Sequence, residues 1–190
     1  MSMNEGLGTR GLGLGGGNPS PESRSPSPTI VIGLGNPLMG DDGLGIAALE
    51  RLRERWDVPA EVELVDGGTW GMNLLPVIES AGRVLLIDAI TVGAQPGTEV
   101  VIPRARLPRY LATKISPHEV DLRDVLALAE LRGTLPDQTI AVGLEPARVE
   151  LASELSDVVE GRLDDLVSAV VRELTAWGHG CTPTTAPVHA

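Results

Sequence analysis

The stretch Thr29 to Gly45, TIVIGLGNPLMGDDGLG, constrains the fold of this chain more than any other part of the sequence. Its first residues, 29–32, are all β-branched and predict a buried strand. The glycines and Pro37 that follow allow a tight backbone turn. Asp41 and Asp42 then open a predicted helix, which Asp41 is expected to cap. Ligands of open α/β sheets bind at the carboxyl ends of the strands, so this stretch predicts two carboxylates at a binding edge.

The rest of the sequence alternates between strand-like and helix-like segments. Further strands are predicted over 61–65, 83–87, 98–102 and 139–144, and helices over 46–56, 70–81, 116–132 and 163–177. Phenylalanine is absent from the 190 residues, so the core must consist of aliphatic side chains, as in strands buried between helices. Too few residues separate the third and fourth strands for a crossover helix. The fourth strand is therefore expected to be antiparallel and at an edge of a single α/β domain.

The two ends of the sequence differ in composition from the middle. Residues 1–28 are rich in Gly, Ser and Pro, which predicts a disordered tail, and they lack the basic start and apolar core of a secretory signal. The final segment, 178–190, has no periodicity and is also expected to be a disordered tail. His179 and His189 are expected to be unstructured residues within it. The folded domain is therefore predicted to span 29–177.

Charge and cysteine content exclude several classes of partner. The net charge is −11 and only one of the 15 basic residues is a lysine, so there is no positive surface for a phosphate backbone. The single cysteine, Cys181, can close no internal disulfide and is expected to be an inert, exposed thiol in a reducing cytosol. No apolar run approaches the roughly 18 residues that a membrane span needs. We expect a cytoplasmic protein that binds neither nucleic acid nor a membrane.

Three aspartates and one histidine are candidate metal ligands. Asp42, Asp66 and Asp88 each follow one of the first three predicted strands, and they lie along one edge of the sheet if those strands are parallel. His118 lies in the first turn of the helix that begins with Ser-Pro-His-Glu at 116–119. The positive end of that helix disfavours the imidazolium, so the ring stays neutral and free to ligate. Two carboxylates and a neutral imidazole suit a divalent transition metal.

Each of these residues also has an ordinary structural role. Aspartate is favoured at helix N-caps and in turns. Asp66 is the weakest candidate ligand, because Asp-Gly-Gly is a sequence that a tight turn requires. His118 can simply support the start of its own helix. The prediction of a metal site therefore depends on the combination and not on any single residue.

Five motifs together resemble the nickel-iron hydrogenase maturation endopeptidases. In chain order they are GLGNPLMGDDGLG, VDGGTWGMNLLP, LLIDAI, PGTEVVI and KISPHEVDLRDVL, in a region that extends from 29 to about 174. The resemblance implies a three-layer α/β domain in which helices flank a mixed five-stranded sheet, mostly parallel with one antiparallel edge strand. It also implies a monomer that acts on the immature large subunit of a hydrogenase.

The same resemblance assigns roles to individual residues. It implies that Asp42, Asp88 and His118 are the catalytic and metal-contacting positions. The nickel would belong to the substrate, so no tightly held cofactor is expected, and its insertion would be recognised before a short C-terminal extension of the precursor is removed. The resemblance further implies that the Asp-Gly-Gly-Thr box binds substrate through Asp66, Gly67, Gly68 and Thr69.

Three other functions share parts of the pattern. The segment 33–37 resembles the opening of peptidyl-tRNA hydrolases, but their Thr-Arg-His-Asn run is missing and the negative charge opposes tRNA. A Rossmann-type dinucleotide-binding protein needs a third glycine where Leu38 stands, and Asp41 and Asp42 would repel a pyrophosphate. A non-enzymatic metal-binding chaperone has the same sequence features, and a cleavage assay separates it from a protease.

Overall fold

The computed structural model of this chain describes residues 27–107 and 122–185. In chain order the strands are β1 (Thr29–Leu34), β2 (Trp56–Asp57), β3 (Val62–Gly68), β4 (Arg83–Ala89), β5 (Glu99–Pro103), β6 (Gln138–Leu144) and β7 (Thr182–Pro183). The α-helices are α1 (Leu44–Arg55), α2 (Leu75–Ser80), α3 (Leu122–Leu131), α4 (Asp157–Glu160) and α5 (Leu163–Ala176). Short 3-10 turns cover Gly40–Gly43, Gly71–Leu74 and Arg104–Arg106.

Five of these strands form one mixed sheet in the order β3-β1-β4-β6-β5. β1 pairs in parallel with β3 and β4, and β4 pairs in parallel with β6. β5 is antiparallel to β6 and lies at the edge. The structure therefore confirms the mostly parallel sheet and the antiparallel edge strand that the sequence predicts.

Side chains that alternate along each strand divide the core into two apolar layers. Ile30 and Ile32 of β1 belong to the cluster formed with α2 and α3. Val31 belongs to the cluster on the opposite face, formed with α1 and α5. Successive side chains of a strand point to opposite faces, so a run of β-branched residues fills both layers. This arrangement is the predicted three-layer architecture.

Two glycines allow α1 to lie directly on the ends of two strands. A Cβ on Gly45 would collide with the carbonyl oxygens of Leu34 in β1 and Ile87 in β4. A Cβ on Gly33 would lie 2.5 Å from the carbonyl oxygen of Gly45. Larger residues at either position would force the helix away from the sheet. The first turn of α1 is therefore fixed beside the carboxyl ends of β1 and β4.

The helices after β1 and β4 lie on opposite faces of the sheet. From β1 the chain enters α1 on one face, and from β4 it continues through β5 to α3 on the other. The carboxyl ends of these two neighbouring strands therefore border a crevice. Open α/β sheets bind their ligands in crevices of this kind, at the switch point where connections from neighbouring strands go to opposite faces.

One predicted helix is observed with a different start, and the start of another lies outside the described residues. Residues 70–81 form the turn Gly71–Leu74 and then α2, with Pro76 in the first turn of the helix. Proline is tolerated there because the first helical N–H groups have no intrahelical acceptor. The predicted helix over 116–132 is observed as α3, and its expected start lies outside the described residues.

The segment 178–185 is folded, which corrects the predicted disordered tail. His179 is buried, and its Nε2 lies 2.8 Å from the hydroxyl oxygen of Thr29. β7 pairs antiparallel with β2, and the Thr184 N–H donates to the carbonyl of Arg55. A two-residue strand has no periodicity, so the sequence pattern did not reveal it. Residues 1–26 and 186–190, including His189, lie outside the described residues.

Cys181 also differs from its expected environment. It is half-buried and packs against the core cluster that includes α1 and α5. Burial raises the pKa of the thiol, and the nearby Glu61 carboxylate raises it further.

No helix in the described parts of the chain is long and apolar enough to cross a membrane.

Candidate functional site

Parallel pairing brings the three candidate aspartates to one edge of the sheet. Asp42 lies in the turn Gly40–Gly43 after β1, whereas Asp66 and Asp88 lie near the ends of β3 and β4. Gly33 of β1 is directly opposite Asp66, and the turn that carries Asp42 contacts β4. The assumption of parallel strands that placed these residues along one edge is therefore confirmed.

Asp42 is held by the turn that it helps to form. Its Oδ2 accepts a hydrogen bond of 2.8 Å from the backbone N–H of Asn36. Gly35 has a φ of 103°, and a Cβ at this position would collide with the Asp42 carbonyl oxygen. Within the described residues, Asp42 Oδ1 accepts no hydrogen bond. One carboxylate oxygen is thus engaged by the backbone, and no described group donates to the other.

Asp88 is half-buried near the end of the central strand β4. It lies opposite Gly143 of β6, and a Cβ on that glycine would collide with the Asp88 carbonyl oxygen. The close approach of the two backbones fixes where the Asp88 side chain leaves the sheet. Asp88 therefore occupies the strand end that borders the crevice next to β1.

The third predicted ligand, His118, lies outside the described residues. Within the parts of the chain that the structure describes, no three or more His, Cys, Asp or Glu side chains are grouped so as to hold a metal ion. The site of Asp42, Asp88 and His118 stays a prediction, with its two carboxylates on neighbouring elements.

The Asp-Gly-Gly-Thr box lies beside the end of β1. The strand β3 continues through Asp66 to Gly68, beyond the predicted end at residue 65. The carbonyl of Gly68 accepts a hydrogen bond from the N–H of Gly35, in the same loop as Asn36. Asp66 and Thr69 are exposed. The box therefore borders the turn that carries Asp42, with two polar side chains at the surface.

Asp41 has a different role from the helix cap that the sequence predicts. Neither the turn Gly40–Gly43 nor α1 has a side-chain cap. Asp41 is fully buried, and its carboxylate accepts hydrogen bonds from the N–H groups of Ala147, Arg148 and Ser156 and from the Ser156 hydroxyl, at 2.6 to 3.0 Å. Burial would raise the pKa of Asp41, but these hydrogen bonds outweigh it and hold the pKa below its ordinary value.

Backbone hydrogen bonds reinforce this contact between distant segments. The Gly40 N–H donates to the Ala152 carbonyl, and the Ala152 N–H donates to the Leu38 carbonyl, at 2.9 and 3.0 Å. Met39 and Ala152 form a parallel β-bridge. The loop after β6 is thus fixed against the turn that carries Asp42.

Glu145 is a second buried carboxylate that the sequence analysis missed. It follows β6 directly and accepts hydrogen bonds from the N–H groups of Val92, Gly93 and Ala94, at 2.7 to 3.3 Å. These contacts fix the loop that follows Asp88. An acidic residue directly after a buried strand is the available signal, and it is the same signal that selected Asp88.

Comparisons with known proteins agree on one family. A family model described as hydrogenase maturation protease matches residues 46–173. The chain is 38% identical over 151 residues to the hydrogenase expression/formation protein HupD of Rhodobacter capsulatus, covering 78% of this chain and 72% of that protein. It is 32% identical over 155 residues to the hydrogenase 2 maturation protease of Escherichia coli, covering 81% of this chain and 94% of that one.

A solved structure has the same fold. The hydrogenase maturating endopeptidase HybD from E. coli superposes with a TM-score of 0.78 and 31% identity, over 83% of this chain and 98% of that chain. The agreement extends over nearly the whole of the solved chain, so the sheet and its flanking helices are common to both.

Proposed function

This chain belongs to the hydrogenase maturation protease family, whose members are endopeptidases, and on that premise we propose that it removes the C-terminal extension of a nickel-iron hydrogenase large-subunit precursor after nickel insertion. The observation that carries the proposal is the position of Asp42 and Asp88. Both lie at the crevice between the carboxyl ends of β1 and β4, where this class of sheet binds ligands.

In this proposal Asp42, Asp88 and His118 recognise the nickel ion of the precursor. The open oxygen of Asp42 supports this role, because a ligand can bind there while the other oxygen keeps its hydrogen bond to Asn36. Carboxylates and a neutral imidazole are suitable ligands for a divalent transition metal. The nickel is part of the substrate, and the enzyme holds no metal of its own tightly.

The box formed by Asp66, Gly67, Gly68 and Thr69 binds the precursor chain next to this site. The exposure of Asp66 and Thr69 and the hydrogen bond between Gly68 and Gly35 support the proposal, because they put polar groups beside the turn that carries Asp42. The enzyme acts as a cytoplasmic monomer and associates with neither nucleic acid nor membranes. The net charge of −11 supports the absence of a nucleic-acid partner.

The test is to mix the purified protein with precursor that has or lacks nickel and to weigh the products by mass spectrometry. We expect nickel-loaded precursor to lose a C-terminal fragment and nickel-free precursor to stay intact. Equal cleavage of both forms would contradict the recognition of nickel. Intact precursor in both reactions would contradict the proposed activity itself.

A further inference from the structure

Exposed apolar side chains are concentrated at the carboxyl end of the sheet. Among the described residues, nine large hydrophobic side chains are exposed. Two of them lie elsewhere: Val101 on the edge strand and Leu131 at the end of α3. The other seven lie in segments that follow the carboxyl ends of parallel strands: Leu38, Trp70, Met72, Val92, Val149, Leu151 and Val158.

Three of these side chains form what we call the apolar ridge: Leu38, Val149 and Leu151, which are 62%, 54% and 84% exposed. Leu38 and Leu151 directly precede Met39 and Ala152, the two residues of the β-bridge, and Val149 lies in the same loop as Leu151. The two backbones that carry the ridge are therefore adjacent. Leu38 lies four residues before Asp42, and only Met39 separates it from the turn that carries this aspartate.

The backbone of the ridge is fixed, although its side chains face water. Asp41 accepts four hydrogen bonds from Ala147, Arg148 and Ser156, which lie on both sides of Val149 and Leu151. Because these apolar side chains stay in contact with water, they contribute no hydrophobic stabilisation to the folded chain. Grouped exposed apolar side chains on a fixed backbone are typical of surfaces that bind another protein.

The charges around the ridge indicate the kind of segment that it binds. Residues 145–157 expose three acidic side chains and one basic side chain, Arg148, whose guanidinium lies 3.8 Å from the Glu150 carboxylate. Residues 36–43 add the half-buried Asp42 and contain no basic residue. A surface with this excess of negative charge is complementary to a segment that carries positive charge.

We propose that the apolar ridge is the docking surface for a segment of the precursor that contains both apolar and basic residues. The inference rests on the proposed function, because the precursor is the polypeptide that has to reach Asp42. Because Leu38 nearly adjoins the turn that carries this aspartate, a segment docked on the ridge lies close to Asp42. Docking at the ridge contributes affinity for the precursor and leaves the cleavage step unchanged.

Leu151→Ser tests the proposal, and Leu131→Ser is its matched control. Both leucines are 84% exposed, but Leu131 lies at the end of α3, away from the candidate site. Biolayer interferometry measures the Kd for nickel-loaded precursor, and a cleavage assay gives KM and kcat. We expect Leu151→Ser to raise Kd and KM about tenfold, the effect of losing one buried leucine. We expect Leu131→Ser to change neither value more than about twofold, as for residues outside an interface.

A charge-reversal variant of the protein tests whether the docked precursor segment contains basic residues. Glu150→Lys is expected to weaken precursor binding at low salt, with a smaller effect at high salt because screening weakens the attraction that it removes. Unfolding curves for all three variants check that the fold is retained, which we expect because the altered side chains are exposed.

The outcomes separate this proposal from the proposed function. If wild-type protein cleaves the precursor but Leu151→Ser and Leu131→Ser bind it equally well, the docking surface is wrong and the activity stands. If wild-type protein binds precursor and only Leu151→Ser weakens binding, but no cleavage follows, the activity is wrong and the docking surface stands. A wild-type dimer that Leu151→Ser dissociates would make a second copy of this chain the occupant, and would overturn the proposal.

Discussion

The two ends of the sheet are stabilised by different interactions. At the carboxyl end, the buried carboxylates of Asp41 and Glu145 accept backbone hydrogen bonds and fix loops whose apolar side chains face water. At the amino end, the segment 178–185 covers the first residues of the strands, with His179 buried against Thr29. The carboxyl end thus has buried carboxylates beneath exposed apolar side chains. The contact at the amino end joins a hydroxyl and an imidazole.

The largest expected effect is a loss of cleavage activity when a residue at the carboxyl end of the sheet is changed. Asp88→Asn keeps the size and polarity of the side chain but removes the charge of a proposed nickel ligand. Metal coordination contributes several kcal/mol, so we expect cleavage of nickel-loaded precursor to fall at least about a hundredfold. Mass spectrometry of timed samples measures the rate. Asp137→Asn, at a side chain that is 99% exposed and precedes β6, is the control. Normal cleavage by folded Asp88→Asn would contradict the proposed role.

A second prediction is that changing Asp41 lowers the stability of the fold more than changing the adjacent Asp42. Asp41→Asn removes a buried charge and replaces an acceptor oxygen by a donor, so some of the four hydrogen bonds are lost. We expect the free energy of unfolding to fall by about 3 kcal/mol. Asp42→Asn removes no charge from the interior and should cost less than about 1 kcal/mol. Urea denaturation of both variants measures the difference, and equal losses would show that Asp41 does not fix the loop after β6.

A third prediction concerns the amino end. His179→Ala removes the hydrogen bond to Thr29 and leaves a cavity, so we expect the free energy of unfolding to fall by about 1 to 2 kcal/mol. The cleavage rate of nickel-loaded precursor at saturation should be unchanged, because the substitution lies at the opposite end of the sheet. A fall in kcat comparable with that of Asp88→Asn would mean that the two ends are coupled.

The smallest expected effect is a dependence on pH. The pKa of Asp41 is held below its ordinary value of 3.8 in the folded chain. Its carboxylate therefore contributes stability above that value, and the contribution is lost as the pH falls through the lowered pKa of the folded state. The Tm difference between wild type and Asp41→Asn should be constant near neutral pH and narrow below about pH 4. A difference that widens in acid would contradict this assignment.

The local parts of the fold and site could be predicted from the sequence. The β-branched run at 29–32, the turn before Asp42 and the short link to β5 each follow from residues close together in the chain. The position of Asp88 follows from parallel pairing once the strands are recognised. The family assignment also excludes the peptidyl-tRNA hydrolase and dinucleotide-binding alternatives, which share only parts of the sequence pattern. The cleavage assay separates a protease from a non-enzymatic metal-binding chaperone.

The parts that were missed depend on contacts between distant residues. Asp41 next to a helix start has the local pattern of a cap, but its donors Ala147, Arg148 and Ser156 lie more than a hundred residues further along the chain. The contact of His179 with Thr29 spans 150 residues, and the pairing of β7 with β2 involves strands only two residues long. Periodicity within a segment carries no information about such partners.

The glycines at 33 and 45 have a consequence for how this protein can change over time. Because backbone contacts backbone where α1 meets β1 and β4, peptide geometry limits how closely residues 42 and 88 can approach each other. Substitutions elsewhere in the two apolar layers can alter stability and leave that limit intact. The minimum width of the crevice is thereby insulated from mutational drift in the interior.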